Sequence, residues 1–275
     1  MALTGFQRAV CRLLAAHRIE RGESYVAGGA ALNLLTDGAR ISRDIDIFHD
    51  TEAALEAAWG ADRALLAANG YQVRSLRERP SFVEAVVAQG DDSVLLEWTR
   101  DSAYRFFPLV RHDDLGLTMH PFDLATTKAL ALVGRLEIRD WLDLLTCDAR
   151  IQPLGYLAWA ACGKDPGFSP AAILEQAGRS GRYTQDELNG LAFAGPAPDI
   201  AAASRTWHAM LAQAWEIVRL LPADEAGKCV LNQCGGLYTG PLERLREDLA
   251  AGELTFREGS IRGAFPTLAA DASTQ

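Results

Sequence analysis

The sequence predicts an α+β chain, with strands and helices mixed through residues 1–150 and an all-helical domain over residues 151–275. Three observations predict it. Short apolar runs with strand-like alternation recur between residues 24 and 99. Helical periodicity fills the spaces around them. From residue 151 no convincing alternating run remains, and helical runs are separated by breaks rich in Pro and Gly.

The elements follow in order. "TGFQRAVCRLLAAHRIE" has helical spacing at Phe6, Val10, Leu13 and Leu14, with Thr4 as its cap. "SYVAGGAALNLL" reads as a short strand that ends at Gly28 and Gly29, followed by a helix, and "DIDIF" as a second strand. "TEAALEAAWGADRALLAAN" is a helix with Thr51 as N-cap and Gly70 as its stop. "YQVRSL", "SFVEAVVA" and "SVLLEWT" are strands, the last two joined by a hairpin-like "QGDD". "RHDDLGLTMHP" is loop-like, with a short strand available in "LGLTM". A long helical pattern over 121–149 has Gly134 as its marked break. Helical runs then fall around 155–163, 169–178, 185–193, 200–221 and 241–251, separated by "GRSGRY", "AGPAPD" and "CGGLYTGP".

Composition narrows the class. Hydrophobic residues make up 49% and charged residues 23%, as in an ordinary globular chain. A net charge of -9 argues against broad adhesion to nucleic acid or acidic membranes, while leaving room for a local basic patch. Five scattered cysteines favour neither a disulfide framework nor a zinc knuckle. With no leader and no long apolar run to be read, a cytoplasmic location is expected.

The chemistry concentrates in residues 27–48. On a strand, Asp44 and Asp46 point to one face while Ile45 and Ile47 point to the other. Two like charges so placed repel each other unless a cation lies beside them. A hard divalent ion such as Mg²⁺ takes carboxylate oxygens and keeps other positions for water and phosphate. Alone, such a pair is as readily a surface turn. Gly28 and Gly29 sit where a strand passes into a helix, and there backbone N–H groups can receive phosphate. Alone, these are as readily a tight turn. Together they read as a nucleotide site.

The stretch from Gly28 and Gly29 through Arg40, Ser42, Asp44, Asp46 and Phe48 resembles the opening motif of the DNA polymerase β-like nucleotidyltransferase superfamily, and within it the AbiEii/MenT branch. "DLATTKALALVGRLEIRDWLDLL" resembles that branch's second block, at Asp123, Lys128, Arg135, Arg139, Asp140 and Asp143. The resemblance implies a nucleotidyltransferase fold, with a small mixed sheet flanked by helices. It also implies transfer of a nucleotide from a nucleoside triphosphate to an acceptor hydroxyl. Asp44, Asp46 and a third carboxylate would be the catalytic and metal-holding residues, with Mg²⁺ (or Mn²⁺) as cofactor. Glu97, set amid apolar residues in "VLLEWTRD", is the candidate for that third carboxylate, with Asp101 as the alternative. Gly28, Gly29, Arg40, Ser42 and Lys128 would bind the nucleotide, Lys128 as a point charge on the phosphates in preference to the usual solvated lysine of an amphipathic helix. Arg139, Asp140 and Asp143 could equally close a helix–helix contact. A toxin of a toxin–antitoxin or phage-defence system is the implied role, with tRNA or protein as acceptor and an antitoxin as partner. The rival readings are an aminoglycoside-type antibiotic nucleotidyltransferase and a non-catalytic nucleotide-binding protein of the same fold.

Overall fold

The structure, a computed structural model, describes residues 3–264. Residues 1–2 and 265–275, at the outer ends of the two expected domains, lie outside the described residues. The first elements are α1 (Gly5–Arg21), β1 (Ser24–Val26), α2 (Gly28–Leu35), β2 (Arg40–Ile41), β3 (Asp44–His49) and α3 (Glu52–Ala68). Then come β4 (Gln72–Arg79), β5 (Phe82–Gln89), β6 (Asp92–Arg100), β7 (Tyr104–Arg105), β8 (Val110–His112) and β9 (Gly116–Thr118). The remainder is α4 (Pro121–Arg135), α5 (Ile138–Arg150), α6 (Leu154–Ala161), α7 (Pro170–Ala177), α8 (Gln185–Asn189), β10 (Ala192–Phe193), α9 (Ile200–Leu220), β11 (Cys229–Asn232), α10 (Leu242–Ala250), β12 (Leu254–Arg257) and β13 (Ser260–Ile261).

The chain separates into two compact units. Among the described residues, the first comprises 3–103, 109–124 and 184–198, and the second comprises 104–108, 125–183 and 199–264. Each is built from more than one stretch of chain.

The first unit is organised by a seven-stranded sheet in the order β4-β5-β6-β3-β1-β9-β8. It is mixed: β3 runs parallel to β6 and β1 parallel to β9, whereas β1–β3, β4–β5, β5–β6 and β8–β9 are antiparallel. Alternation decides which face is buried. Along β3 the residues Ile45, Ile47 and His49 are buried while Asp44, Asp46 and Phe48 are half-buried, and β5 and β6 repeat the pattern with Val83, Ala85, Val87, Val94, Leu96 and Trp98 inside. Helices α1 and α3 cover that apolar face. Trp98 is fully buried, lies edge-on against Trp59 and donates its indole N–H to Asp62 at 3.0 Å.

Local chemistry sets the ends of these elements. The Thr4 hydroxyl accepts from the Gln7 N–H while the Gln7 side chain accepts from the Thr4 N–H, a closed capping box. Thr51 caps α3 through the Ala54 N–H, and Gly70 follows the helix in the left-handed region at φ +80°. Strands β5 and β6 close on a two-residue turn, Gly90–Asp91, with Gly90 at φ +61°.

The second unit is mainly helical, as expected, with a core in which Tyr156, Trp159, Ile217 and Val230 are buried together. It also contains strands that the sequence does not announce. β11 pairs antiparallel with β12, and β7 pairs with β13. Three consecutive residues of β11 are buried, so it lacks the alternation that marks a half-exposed strand.

Three further boundaries differ from expectation. The helix expected over 185–193 stops at Asn189, and Ala192–Phe193 instead form β10 against β2. The strand expected over 71–76 continues to Arg79 through a bulge. The long helix breaks after Arg135 and not at Gly134, because Leu136 takes φ +53° and its N–H returns to the Leu132 carbonyl. No helix among the described residues is long and apolar enough to cross a membrane.

Candidate functional site

β1 ends at Val26, and the chain turns at Gly28 to start α2. The Ala27 N–H donates to the Asp46 carbonyl at 2.9 Å, which fixes this turn against the middle of β3. Gly28 sits at φ +63°, and a Cβ there would lie 1.6 Å from Asp46 Oδ2. No side chain fits. The Asp46 carboxylate is therefore packed directly on the start of α2, whose backbone N–H groups carry the positive end of the helix dipole. That placement is one source of compensation for the acidic pair.

Gly29 has a matching role. A Cβ there would come within 2.2 Å of Arg40 Nη2 and 3.2 Å of Ser42 Oγ. Arg40 and Ser42 are both buried, so their polar ends are held over the glycine and away from bulk water. Ser42 Oγ donates to Asp44 Oδ1 at 2.8 Å. Sequence reasoning missed two supports of this arrangement. Gln7 Nε2 donates to the Ser42 carbonyl at 2.8 Å, and Phe193 of β10 is the register partner of Arg40. Both act across long stretches of sequence, and neither leaves a local signal.

Asp44 and Asp46 lie on the half-buried face of β3, as alternation requires. Glu97 is the register partner of Asp46 on the parallel neighbour β6 and shares that face. Asp101 lies beyond the end of β6, and its N–H donates to the His49 carbonyl. The structure thus brings together Gly28, Gly29, Arg40, Ser42, Asp44 and Asp46, with Glu97 beside Asp46 in register. Among the described residues, no group of three or more His, Cys, Asp or Glu side chains is arranged to hold a metal ion. The donor set that fits a hard cation is the Asp44/Asp46 pair. Such a set suits Mg²⁺, which commonly takes one or two carboxylates and completes its shell with water and substrate phosphates.

Lys128 belongs to the second unit, and it is not a solvated lysine. Its side chain is buried, with Nζ 2.7 Å from Asp140 Oδ1 and 3.0 Å from Asp143 Oδ2. Arg135 Nε completes the network at 2.6 Å from Asp140 Oδ2. Burial works to raise the Asp140 carboxyl, but Arg135 and Lys128 more than offset it and hold it below the usual carboxylate range. The second sequence block therefore ties α4 to α5 through buried charge. Arg139 pairs instead with Glu137 at 2.5 Å.

His49, next to the acidic strand positions, faces the core. It is fully buried, and burial, which outweighs an opposing interaction with the Thr99 backbone, pushes its pKa down to about 4.

Comparison with solved structures identifies this arrangement of sheet and helices as the nucleotidyltransferase fold, as the sequence resemblance implies. A candidate nucleotidyltransferase from H. pylori superposes at a TM-score of 0.52 and 15% identity, covering 78% of this chain and 95% of that one. JHP933 from Helicobacter pylori gives 0.52 and 15%, covering 79% and 95%. MenT4, a nucleotidyltransferase toxin from Mycobacterium tuberculosis H37Rv, is similar at a TM-score of 0.52 and 16% identity, covering 80% of this chain and 85% of that one. No family model and no curated protein matches the sequence.

Proposed function

We propose that the protein is a Mg²⁺-dependent nucleotidyltransferase that moves a nucleoside monophosphate from a nucleoside triphosphate onto an acceptor hydroxyl. The observation that carries this reading is the contact of Gly28 with the Asp46 carboxylate. It sets the Asp46 carboxylate against a helix N-terminus, which supports a cation site beside a phosphate site. Asp44 and Asp46 are the residues that would hold the cation, which when bound supplies charge neutralisation on the phosphates. Gly28 and Gly29 offer backbone N–H groups to the phosphates, and Arg40 and Ser42 lie over Gly29 to orient them. The acceptor oxygen bonds to the α-phosphorus, the bond from that phosphorus to the bridging oxygen breaks, and pyrophosphate leaves. Glu97, beside Asp46, is the carboxylate proposed to take the hydroxyl proton or to complete the cation's ligands. Lys128 fits a phosphate-binding role less well, because two carboxylates already neutralise it.

The likeness to a toxin's fold supports a toxin role; tRNA or protein as acceptor and an antitoxin as partner are what the sequence resemblance implies. The test is to incubate the protein with each α-labelled nucleoside triphosphate, Mg²⁺ and total RNA or protein extract, and separately with aminoglycosides. Label on RNA or protein is expected. Label on the drug would replace the acceptor assignment. No transfer to any acceptor, with wild type and Asp46→Asn indistinguishable, would overturn the catalytic reading in favour of a nucleotide-binding protein.

A further inference from the structure

The edge strand β4 carries three arginines, and a bulge decides where they point. Strict alternation would place Arg74 on one face and Arg77 and Arg79 on the other. The register instead passes from Ser75 opposite Ala85 to Arg77 opposite Glu84, skipping Leu76. Arg74, Arg77 and Arg79 are therefore opposite Val86, Glu84 and Phe82, the half-buried positions of β5. All three share one face. Glu78, the acidic residue of this strand, is opposite buried Val83 and takes the other face.

That shared face continues to the candidate site. Glu84 pairs in register with Glu97, and Glu97 with Asp46. The arginine row and the acidic pair thus lie on one side of the sheet, three strands apart, or about 14 Å at the usual strand spacing. The three arginines are exposed, and among the described residues none forms an ion pair. The Arg77 guanidinium lies 5.7 Å from the centre of the Phe82 ring. Edge strands use charge to repel other strands, which accounts for exposed charges there. It does not account for three of one sign gathered on the face that bears the acidic pair.

We propose that this face is the landing surface for the single-stranded end of an RNA, a proposal that rests on the nucleotidyl-transfer reading of the site. Phosphates meet Arg74, Arg77 and Arg79, and a base stacks at Phe82. The terminal ribose, with its two hydroxyls, reaches toward Asp46. On a chain of net charge -9, a cationic row of this kind determines where a polyanion lands.

The test is fluorescence anisotropy of a labelled RNA of about 20 nucleotides, read between about 50 and about 200 mM salt. The proteins are the wild type and the triple variants R74Q/R77Q/R79Q and R74K/R77K/R79K. The glutamine variant is expected to bind at least about tenfold more weakly, with its log–log salt slope shallower by about 2. The lysine variant should recover most of the affinity. Mg²⁺–nucleotide binding should be unchanged in both triple variants, which also shows that they fold. Equal RNA binding by wild type and the glutamine variant would overturn the proposal, as would equal competition by DNA of the same sequence or by an acidic peptide. Absence of label transfer by wild type would defeat the catalytic reading, while the anisotropy series still decides the surface.

Discussion

At the scale of single residues, Gly28 is the most constrained position in the candidate site. A left-handed φ costs a non-glycine residue about 1–2 kcal/mol, and here the added methyl would also occupy the place of the Asp46 carboxylate. Gly28→Ala is expected to keep the fold, as read by circular dichroism, and to lose about 100-fold or more in transfer rate. A variant with wild-type rate would show that the carboxylate need not stay where it is. His49 supplies a second prediction. Its pKa falls from 6.5 to about 4 on burial, so the unfolded chain binds a proton over this interval that the folded chain does not. Stability therefore falls as the pH drops from about 6.5 to 4, by up to about 3 kcal/mol from this residue. Urea midpoints measured across that range should decline, and His49→Leu should flatten the decline. An identical decline in the variant would assign the acid sensitivity to the carboxylates.

At the scale of elements, the second sequence block is explained by what holds α4 to α5. Lys128 is the shared cation of Asp140 and Asp143, and all three are buried. Removing one partner of such a network leaves the others charged without compensation, at a cost of about 3–5 kcal/mol. Lys128→Met is expected to lose that much in urea unfolding, and unchanged stability would contradict the network. The depressed Asp140 carboxyl acts in the same direction as His49. Its contribution is present above the unfolded carboxylate pKa and is lost as pH falls through the lower folded value.

Elements also show what the sequence could reveal. The strand at Asp44–His49 was legible because Ile45 and Ile47 alternate with the aspartates, and α1 and α3 because Thr4 and Thr51 cap clear periodic runs. The pairing of β2 with β10 was not, because two-residue strands have no periodicity and their partners are separated by about 150 positions. The helix break was expected at Gly134, the better breaker by propensity. Gly134 stays helical, and Leu136 accepts the left-handed conformation because the chain must turn there to bring Asp140 to Lys128 and Arg135. Lys128 was expected at the nucleotide phosphates, and the buried network that neutralises it was missed for a related reason: its partners lie on the next helix, where no spacing rule for one helix can find them.

For the whole molecule, the acidic pair and the glycine turn converge in one unit of a nucleotidyltransferase fold, and each supplies what the other lacks. On the proposed reading the glycines would admit phosphate but could not place a cation, and the aspartates would hold a cation but need neighbouring positive charge. The claim that they form one nucleotide site is tested most directly by isothermal titration with a non-hydrolysable nucleoside triphosphate, with and without Mg²⁺, on wild type and Asp46→Asn. The expected result is binding by wild type that depends on Mg²⁺, and a loss of about tenfold or more in Asp46→Asn with its melting temperature unchanged. Equal affinity in the two proteins, or wild-type binding indifferent to Mg²⁺, would contradict the account.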